Sequence, residues 1–248
     1  MADIFAKYHQ MIFKGIGYTM LVSIIGTIIG LVIGLLIGVF RTMPTPKNKF
    51  LRVLKKAADW ILSAYVEIFR GTPMMVQAMV IFWGWAFVNG GATLSLLPAG
   101  IFIVSINTGA YMAEIVRGGI ISIDKGQLEG AYSVGMTHTQ AMVRVIIPQV
   151  LRNILPSISN EFVINIKDTS VLNVIGVTEL YYMAGVIKRI NLQTFQTYTI
   201  ICVLYFILTF TVTRLLRLAE RKLEGSDSYT ICGSGSDSHA EVHIKGDR

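Results

Sequence analysis

Ionisable and amide side chains set within otherwise apolar sequence are where this 248-residue chain has chemistry to offer. The densest stretch is Asn160-Glu161-Phe162-Val163-Ile164-Asn165-Ile166-Lys167-Asp168-Thr169. Spacings of four and three put Glu161, Asn165 and Asp168 on one side of a helix within two turns. With Lys167 beside them, the stretch presents acceptors for an ammonium and donors for a carboxylate. A buried carboxylate satisfied by a neighbouring helix is the alternative reading of Glu161. Glu67 with Arg70, and Glu114 with Arg117, stand three apart and are expected to satisfy each other near an interface as structural or gating groups. No nucleophile beside a base, no paired carboxylates for acid–base work and no metal-ligand spacing emerges, so neither catalysis nor a metal site is expected.

The elements that must position these residues are apolar runs. The chain is 53% hydrophobic and 15% charged. From Met11 to Phe40 the only charged side chain is Lys14, a run long enough at ~1.5 Å per residue to cross a bilayer core of ~30 Å. Apolar runs over 12–40, 57–88, 97–117, 150–172 and 194–216 predict an all-α, polytopic membrane protein of about five spans. An ionisable group at bilayer depth costs about 2.5–3.5 kcal/mol on insertion scales, so those retained are expected to face protein or a wet cavity. An odd number of crossings sets the termini on opposite sides.

Charge asymmetry orients the bundle. Arg41, Lys47, Lys49, Arg52, Lys55 and Lys56 follow the first run, Arg117, Lys125, Arg144 and Arg152 the third, and Arg214, Arg217, Arg221 and Lys222 the fifth. The other side holds Lys7, Lys14, Lys188 and Arg189. The positive-inside rule puts the N-terminus outside and the C-terminus in the cytoplasm, and it accounts for the net charge of +7 without nucleic acid. Cys202 in an apolar run and Cys232 in a polar stretch do not suggest a disulfide or a zinc site. The first apolar run is too long, and lacks the small-residue cleavage site, for a cleaved leader.

Three irregularities stand out. Arg70-Gly71-Thr72-Pro73 interrupts the second span, where proline removes a helix hydrogen bond, so a bend or a full break is expected. Gly26, Gly30, Gly34 and Gly38 recur at a spacing of four, a seam for close approach of a helix from this chain or from a partner. Residues 225–248, rich in Ser, Gly and Asp, are expected to form a disordered tail after a transmembrane domain of residues 1–224.

Between the third and fourth spans, residues 121–148 do not look like an ordinary loop. Asp124 with Gln127, and Thr137 with Gln140, have the spacing of capping boxes, and Gly135 is placed to end the first helix in a left-handed conformation. Two short helices joined at Gly135 are predicted. A turn is predicted where Ile147 precedes Pro148, since that residue is disfavoured in helical geometry. A plain amphipathic connector on the membrane surface is the alternative to a docking knob.

This segment resembles the EAA signature of ABC-importer permeases: glutamate-alanine-alanine, three residues, glycine, nine residues, isoleucine-x-leucine-proline. Here it reads Glu129-Gly130-Ala131, three residues, Gly135, nine residues, Val145-Ile146-Ile147-Pro148. Gly130, Val145 and Ile147 depart from the pattern, each keeping a small or branched apolar side chain. Gly130 costs up to ~1 kcal/mol of helix propensity against alanine. Glu67-Ile68-Phe69-Arg70-Gly71-Thr72-Pro73, Gly109 to Ile120, Pro148 to Arg152 and Lys167-Asp168-Thr169-Ser170 are similar, in order, to segments of the polar amino-acid branch of these permeases, so the resemblance covers residues 10–222.

The resemblance implies a bacterial cell-membrane permease subunit that moves a polar amino acid inward by alternating access. It implies as partners a second permease subunit, identical or related, a pair of ABC ATPase subunits and an extracytoplasmic substrate-binding protein, besides membrane lipid. Glu129, Gly130, Ala131, Gly135, Ile147 and Pro148 would couple to the ATPase. In similar arginine-type permeases the position of Glu161 lies in the substrate site, and glutamate there would favour a cationic side chain. The chain itself contains no G-x-x-x-x-G-K-[ST] phosphate loop, so ATP and Mg would be bound by the partner and no cofactor by this chain. A self-contained secondary transporter would show internal repeats and more spans. A membrane scaffold or sensor would lack the polar cluster of the fourth span.

Overall fold

The glycines of the first run decide the architecture. In the computed structural model, which describes residues 1–224, 229–232 and 241–244, α1 (Ala2–Thr42) lies along α4 (Leu96–Ser122). Gly26 meets Val104, Gly30 meets Thr108, Gly34 meets Met112 and Gly38 meets Val116. Both series advance by four in the same direction, so the helices are parallel and their backbones approach closely along the whole seam. A Cβ on Gly30 would stand 2.7 Å from Thr108 Cγ2 and one on Gly38 2.7 Å from Val116 Cγ1, too close for any real contact. The neighbour thus belongs to the same chain.

Two parallel helices need an intervening return. It is made by α2 (Lys49–Gly71) and α3 (Met74–Val88), which bend by 113° across Thr72 and Pro73. The interruption is a break between two helices rather than a kink in one, because Thr72 and Pro73 are extended and Pro73 caps the second helix. Gly119 packs on Val150 and Ile154 while Thr108 reaches Asn165, so α7 (Ile147–Asp168) runs antiparallel to α4. The terminal helix α9 (Thr194–Glu224) is antiparallel to α7 in turn, with Thr213, Leu216 and Glu220 beside Pro156. Counting the bent pair once gives five crossings, and the termini of the bundle lie at opposite ends, as the apolar runs predicted.

Between α4 and α7 come α5 (Lys125–Ser133) and α6 (His138–Ala141). The predicted turn before Pro148 does not occur. Met142–Ile146 form a π-helical turn in which the Ile147 N–H bonds Met142 O, and Ile147 is itself helical, so α6 runs unbroken into α7. The wider turn accommodates the ring of Pro148, whose missing N–H falls where the π-turn has already displaced the i→i−4 ladder. After α7, a 3₁₀ stretch over Thr169–Ile175 ends at left-handed Gly176 and leads to α8 (Leu180–Asn191). The expected disordered tail falls largely outside the described residues; of it, β1 (Tyr229–Cys232) and β2 (Glu241–Ile244) pair antiparallel, Tyr229 opposite Ile244.

Filling the seam should unfold this arrangement. Gly34→Leu is expected to cost at least the ~1–3 kcal/mol typical of overpacking, visible as a lowered thermal midpoint in detergent. Gly17→Leu on the same helix, where an added Cβ meets nothing within 4 Å, should leave the midpoint unchanged.

Candidate functional site

The polar face of α7 is assembled at the centre of the bundle. Asn165 is 3% exposed and its amide is held at both ends: Nδ2 donates to Thr27 Oγ1 of α1 at 2.8 Å, and Oδ1 accepts from Thr108 Oγ1 of α4 at 3.1 Å. Thr108 is also the residue that packs on Gly30, so the glycine seam brings the two hydroxyls to one amide. One turn before it, Glu161 is 8% exposed and makes no side-chain hydrogen bond among the described residues. One turn after it, Asp168 is half-buried where α7 passes into the 3₁₀ stretch. Lys167 departs from this face. It is exposed and lines a groove of about 230 Å³ between α7 and α9 with Thr209, Thr213, Arg214 and Arg217. Glu161, Asn165 and Asp168 are therefore brought together, and Lys167 is turned aside.

The break in the second span carries its own polar network. Gln77, buried in α3, donates through Nε2 to Phe69 O and Thr72 O, each at 2.9 Å, which are carbonyls freed by Thr72 and Pro73. Its Oε1 accepts from Asn107 Nδ2 of α4 at 2.9 Å. A backbone break at bilayer depth is tolerated only when its polar groups find partners, and Gln77 with Asn107 supplies them. Neither residue was singled out from sequence, although a glutamine four positions after a span-breaking proline is the signal that marks one.

At the basic end of the bundle, Glu114 joins three elements. It accepts from Arg117 Nε and Nη2 at 3.0 and 2.8 Å, and from Arg41 Nη1 of α1 at 2.6 Å, while Arg41 Nη2 donates to Ser63 of α2 at 3.1 Å. The Glu114–Arg117 pair matches its spacing, whereas Arg41, which follows the first apolar run in sequence, joins it only through the fold. The Glu67–Arg70 pair does not form: Arg70 stacks over the Tyr111 ring at 5.5 Å, and Glu67 is exposed with no ion-pair partner among the described residues. A cationic guanidinium over an aromatic face is an adequate alternative to a pair three residues away. Glu179, also unremarked in the sequence, is fully buried as the N-cap of α8, accepting from the Tyr181 and Tyr182 N–H groups and from Tyr205 of α9.

The segment between α4 and α7 protrudes at the same end. Asp124 Oδ1 caps α5 through Gly126 N–H; the reciprocal bond from Gln127 that a full capping box requires is not made. Gly135 takes φ +80°, with its N–H on Tyr132 O and that of Met136 on Ala131 O, a left-handed helix stop open to glycine. Thr137 and Gln140 form the complete capping box that starts α6. Tyr132 Oη and His138 Nδ1, 2.8 Å apart, bridge the two helices, and Gln127 accepts from Gln149 of α7. Glu129 and Gly130 are exposed on the outer face of α5, whereas Ala131 is buried; Ile147 is half-buried and Pro148 exposed at the head of α7.

Comparison with known proteins places this geometry. The family model described as "binding-protein-dependent transport system inner membrane component" matches residues 30–225. The L-cystine transport system permease protein TcyB of Bacillus subtilis is 40% identical over 166 residues, 66% of this chain and 70% of its own. The probable glutamine ABC transporter permease protein GlnM of the same organism is 32% identical over 217 residues, 88% of this chain and 95% of its own. Among solved structures, an amino acid ABC transporter crystallised with histidines superposes with a TM-score of 0.75 at 36% identity, over 88% of this chain and 96% of that one. The inward-facing MetNI methionine ABC transporter shares the fold, with a TM-score of 0.67 at 20% identity over 87% and 99%. This five-crossing chain, with its helix–Gly135–helix protrusion at the basic end, belongs to the family of binding-protein-dependent transport system inner membrane components.

Proposed function

We propose that this chain is the permease subunit of an ABC importer that carries a polar amino acid into the cytoplasm by alternating access, driven by ATP hydrolysis on separate subunits. A second permease subunit, a pair of ATPase subunits and an extracytoplasmic binding protein complete the assembly. The basic end of the bundle faces the cytoplasm, which leaves the N-terminus outside. ATP and Mg belong to the ATPase, and this chain contributes position rather than catalytic groups.

The observation that carries this reading is the protrusion built from α5, Gly135 and α6. Its exposed Glu129 face is offered to the ATPase, with Gly130, Ala131 and Gly135 setting the shape of the knob and Ile147 and Pro148 its junction with the span. Closure of the ATPase pair would displace the knob as a rigid body and swing α7 with it. The substrate site would lie along the Glu161 face, where a largely buried residue keeps an accessible carboxylate with no partner among the described residues, suited to a substrate ammonium or cationic side chain. Asn165 is the natural positioning residue there, Asp168 a further acceptor, and Lys167 would reach a substrate carboxylate only after rotating from its groove. Glu114 with Arg41 and Arg117 would lock the cytoplasmic end in one of the two states, with Glu67 and Arg70 at its margin.

Two measurements test this. In the reconstituted complex, Gly135→Val forces a β-branched residue into left-handed geometry at a cost of ~1–2 kcal/mol. It should reduce binding-protein-stimulated ATPase activity by about five- to thirtyfold, and Glu129→Ala should also reduce it, while both variants still assemble. Undiminished stimulated ATPase activity and transport in both variants would remove the coupling role. Separately, Glu161→Gln removes a charge-assisted contact of roughly 1.5–3 kcal/mol, so uptake of a cationic amino acid should fall about ten- to a hundredfold while uptake of a neutral one changes little. An equal effect on both would show that Glu161 is structural.

A further inference from the structure

Lys167, turned away from the Glu161 face, is not alone in its groove. The helices α7 and α9 are antiparallel, and long side chains on a helix lean toward its N-terminus. Lys167 therefore leans toward the basic end of the bundle, while Arg214 and Arg217 of α9 lean back from that end. Arg214 follows this direction, its guanidinium 4.9 Å from the ring centre of Phe210, four residues earlier. All three side chains line one groove of about 230 Å³, together with Phe206, Thr209 and Phe210. None of the three forms an ion pair among the described residues. Glu220, beside Arg217 in the adjoining cavity with Pro156 and Ser159, offsets one charge at most.

Depth decides which anion suits them. From Thr194 to Thr213, α9 carries no charged residue, a stretch of ~30 Å at ~1.5 Å per residue, or one bilayer core. Arg214 comes next, at the level of the headgroups on the basic side. Lys167 starts deeper, beside Phe206, and its stem carries the ammonium toward Arg214. From these cations toward the bilayer centre, Phe210, Ile207, Phe206 and Val203 form an apolar strip on α9, each between 49% and 66% exposed. Phe206 and Phe210 are also walls of the groove that holds the cations. A small soluble anion would meet the cations and leave the strip bare. Unpaired cations at headgroup depth, with an apolar strip running inward from them, match a single amphiphile with an anionic head.

We propose that the groove between α7 and α9 binds an anionic phospholipid, its phosphate held by Lys167, Arg214 and Arg217 and an acyl chain laid over Phe210 and Phe206. The lipid comes from the leaflet on the basic side. A phosphate in the groove also gives Lys167 a reason to leave the face it shares in sequence with Glu161 and Asp168. The inference requires only that α9 spans a membrane, so it stands or falls apart from the substrate and coupling roles proposed above.

A tryptophan at the groove reads the lipid directly. Trp60, Trp83 and Trp85 are replaced by Phe, Phe206→Trp supplies the reporter, and quenching is taken as the difference from the same complex retaining Phe206. The intact complex is reconstituted in phosphatidylcholine vesicles containing brominated phosphatidylglycerol or brominated phosphatidylcholine at equal fraction. Brominated phosphatidylglycerol should quench the reporter more strongly. Its relative association should fall about fivefold in Arg217→Gln and about twenty-five-fold in Arg214→Gln/Arg217→Gln, at roughly fivefold per cation near a charged surface. Arg214→Lys/Arg217→Lys should keep the preference, and Lys49→Gln/Lys56→Gln, which removes two charges from α2 instead, should leave it unaltered. Equal quenching by the two lipids overturns the proposal, as does an equal loss in the α2 variant, the mark of a diffuse surface potential. A reporter quenched by neither lipid in the complex also overturns it, by placing another subunit over the groove.

Discussion

The close approach of α1 and α4 is the contact on which the rest of the molecule depends. Hydrophobic burial supplies little drive between helices in lipid, so association falls to dispersion and to polar contacts that close packing permits. Four glycines facing Val104, Thr108, Met112 and Val116 allow that packing over the full length of both helices. They also fix direction. Because the seam is parallel, the chain between must cross back, and neither α3, with 15 residues, nor the amphipathic α2 makes an uninterrupted apolar crossing alone. The broken pair follows from the seam, and the Gln77–Asn107 network follows from the break.

Polar groups inside the bundle sort themselves by whether the protein answers them. Asn165 is answered by two threonines, Gln77 by freed carbonyls and Asn107, Glu179 by two backbone donors and a tyrosine, and Glu114 by two arginines. Each of these joins at least two elements and acts as structure. Glu161 is the exception, a carboxylate of comparable burial with no such answer among the described residues. Its carboxylate oxygens stay accessible rather than sealed in the core, so solvent can satisfy what the protein does not.

Features encoded by local spacing were legible in the sequence: the apolar runs, the glycine series, the Thr137–Gln140 box and left-handed Gly135 each depend on residues a few positions apart. Features that depend on which helix faces which were not. Arg41 finds Glu114 only because the seam aligns the ends of α1 and α4, and Tyr111 captures Arg70 from a helix forty residues away in sequence, at the expense of the local pair with Glu67. Lys167 follows the helical phase away from its neighbours, which spacing alone already contained. The turn before Pro148 failed for a different reason: the bias on residue i−1 is a preference that Ile147 overrides, keeping αR geometry at φ −57° and ψ −42°, while the π-turn widens the helix where the proline ring would meet the carbonyl one turn earlier.

That π-turn changes how force can travel. A loop before Pro148 would have let the knob pivot freely while α7 stayed put. Instead the backbone is helical from His138 to Asp168, a single rod along which Glu161 lies about 35 Å and Asn165 about 40 Å from the start at ~1.5 Å per residue. The rod has two soft points, the π-turn itself and Pro156, each lacking a normal i→i−4 bond. Between them Val150 and Ile154 pack on Gly119 of α4; under the coupling scheme proposed above that contact would act as the fulcrum, and motion at the knob would tilt the Glu161 face in the opposite sense or bend the rod at Pro156. Under that scheme a site placed beyond the fulcrum would open on one side of the membrane as the knob moves on the other, the geometry alternating access requires.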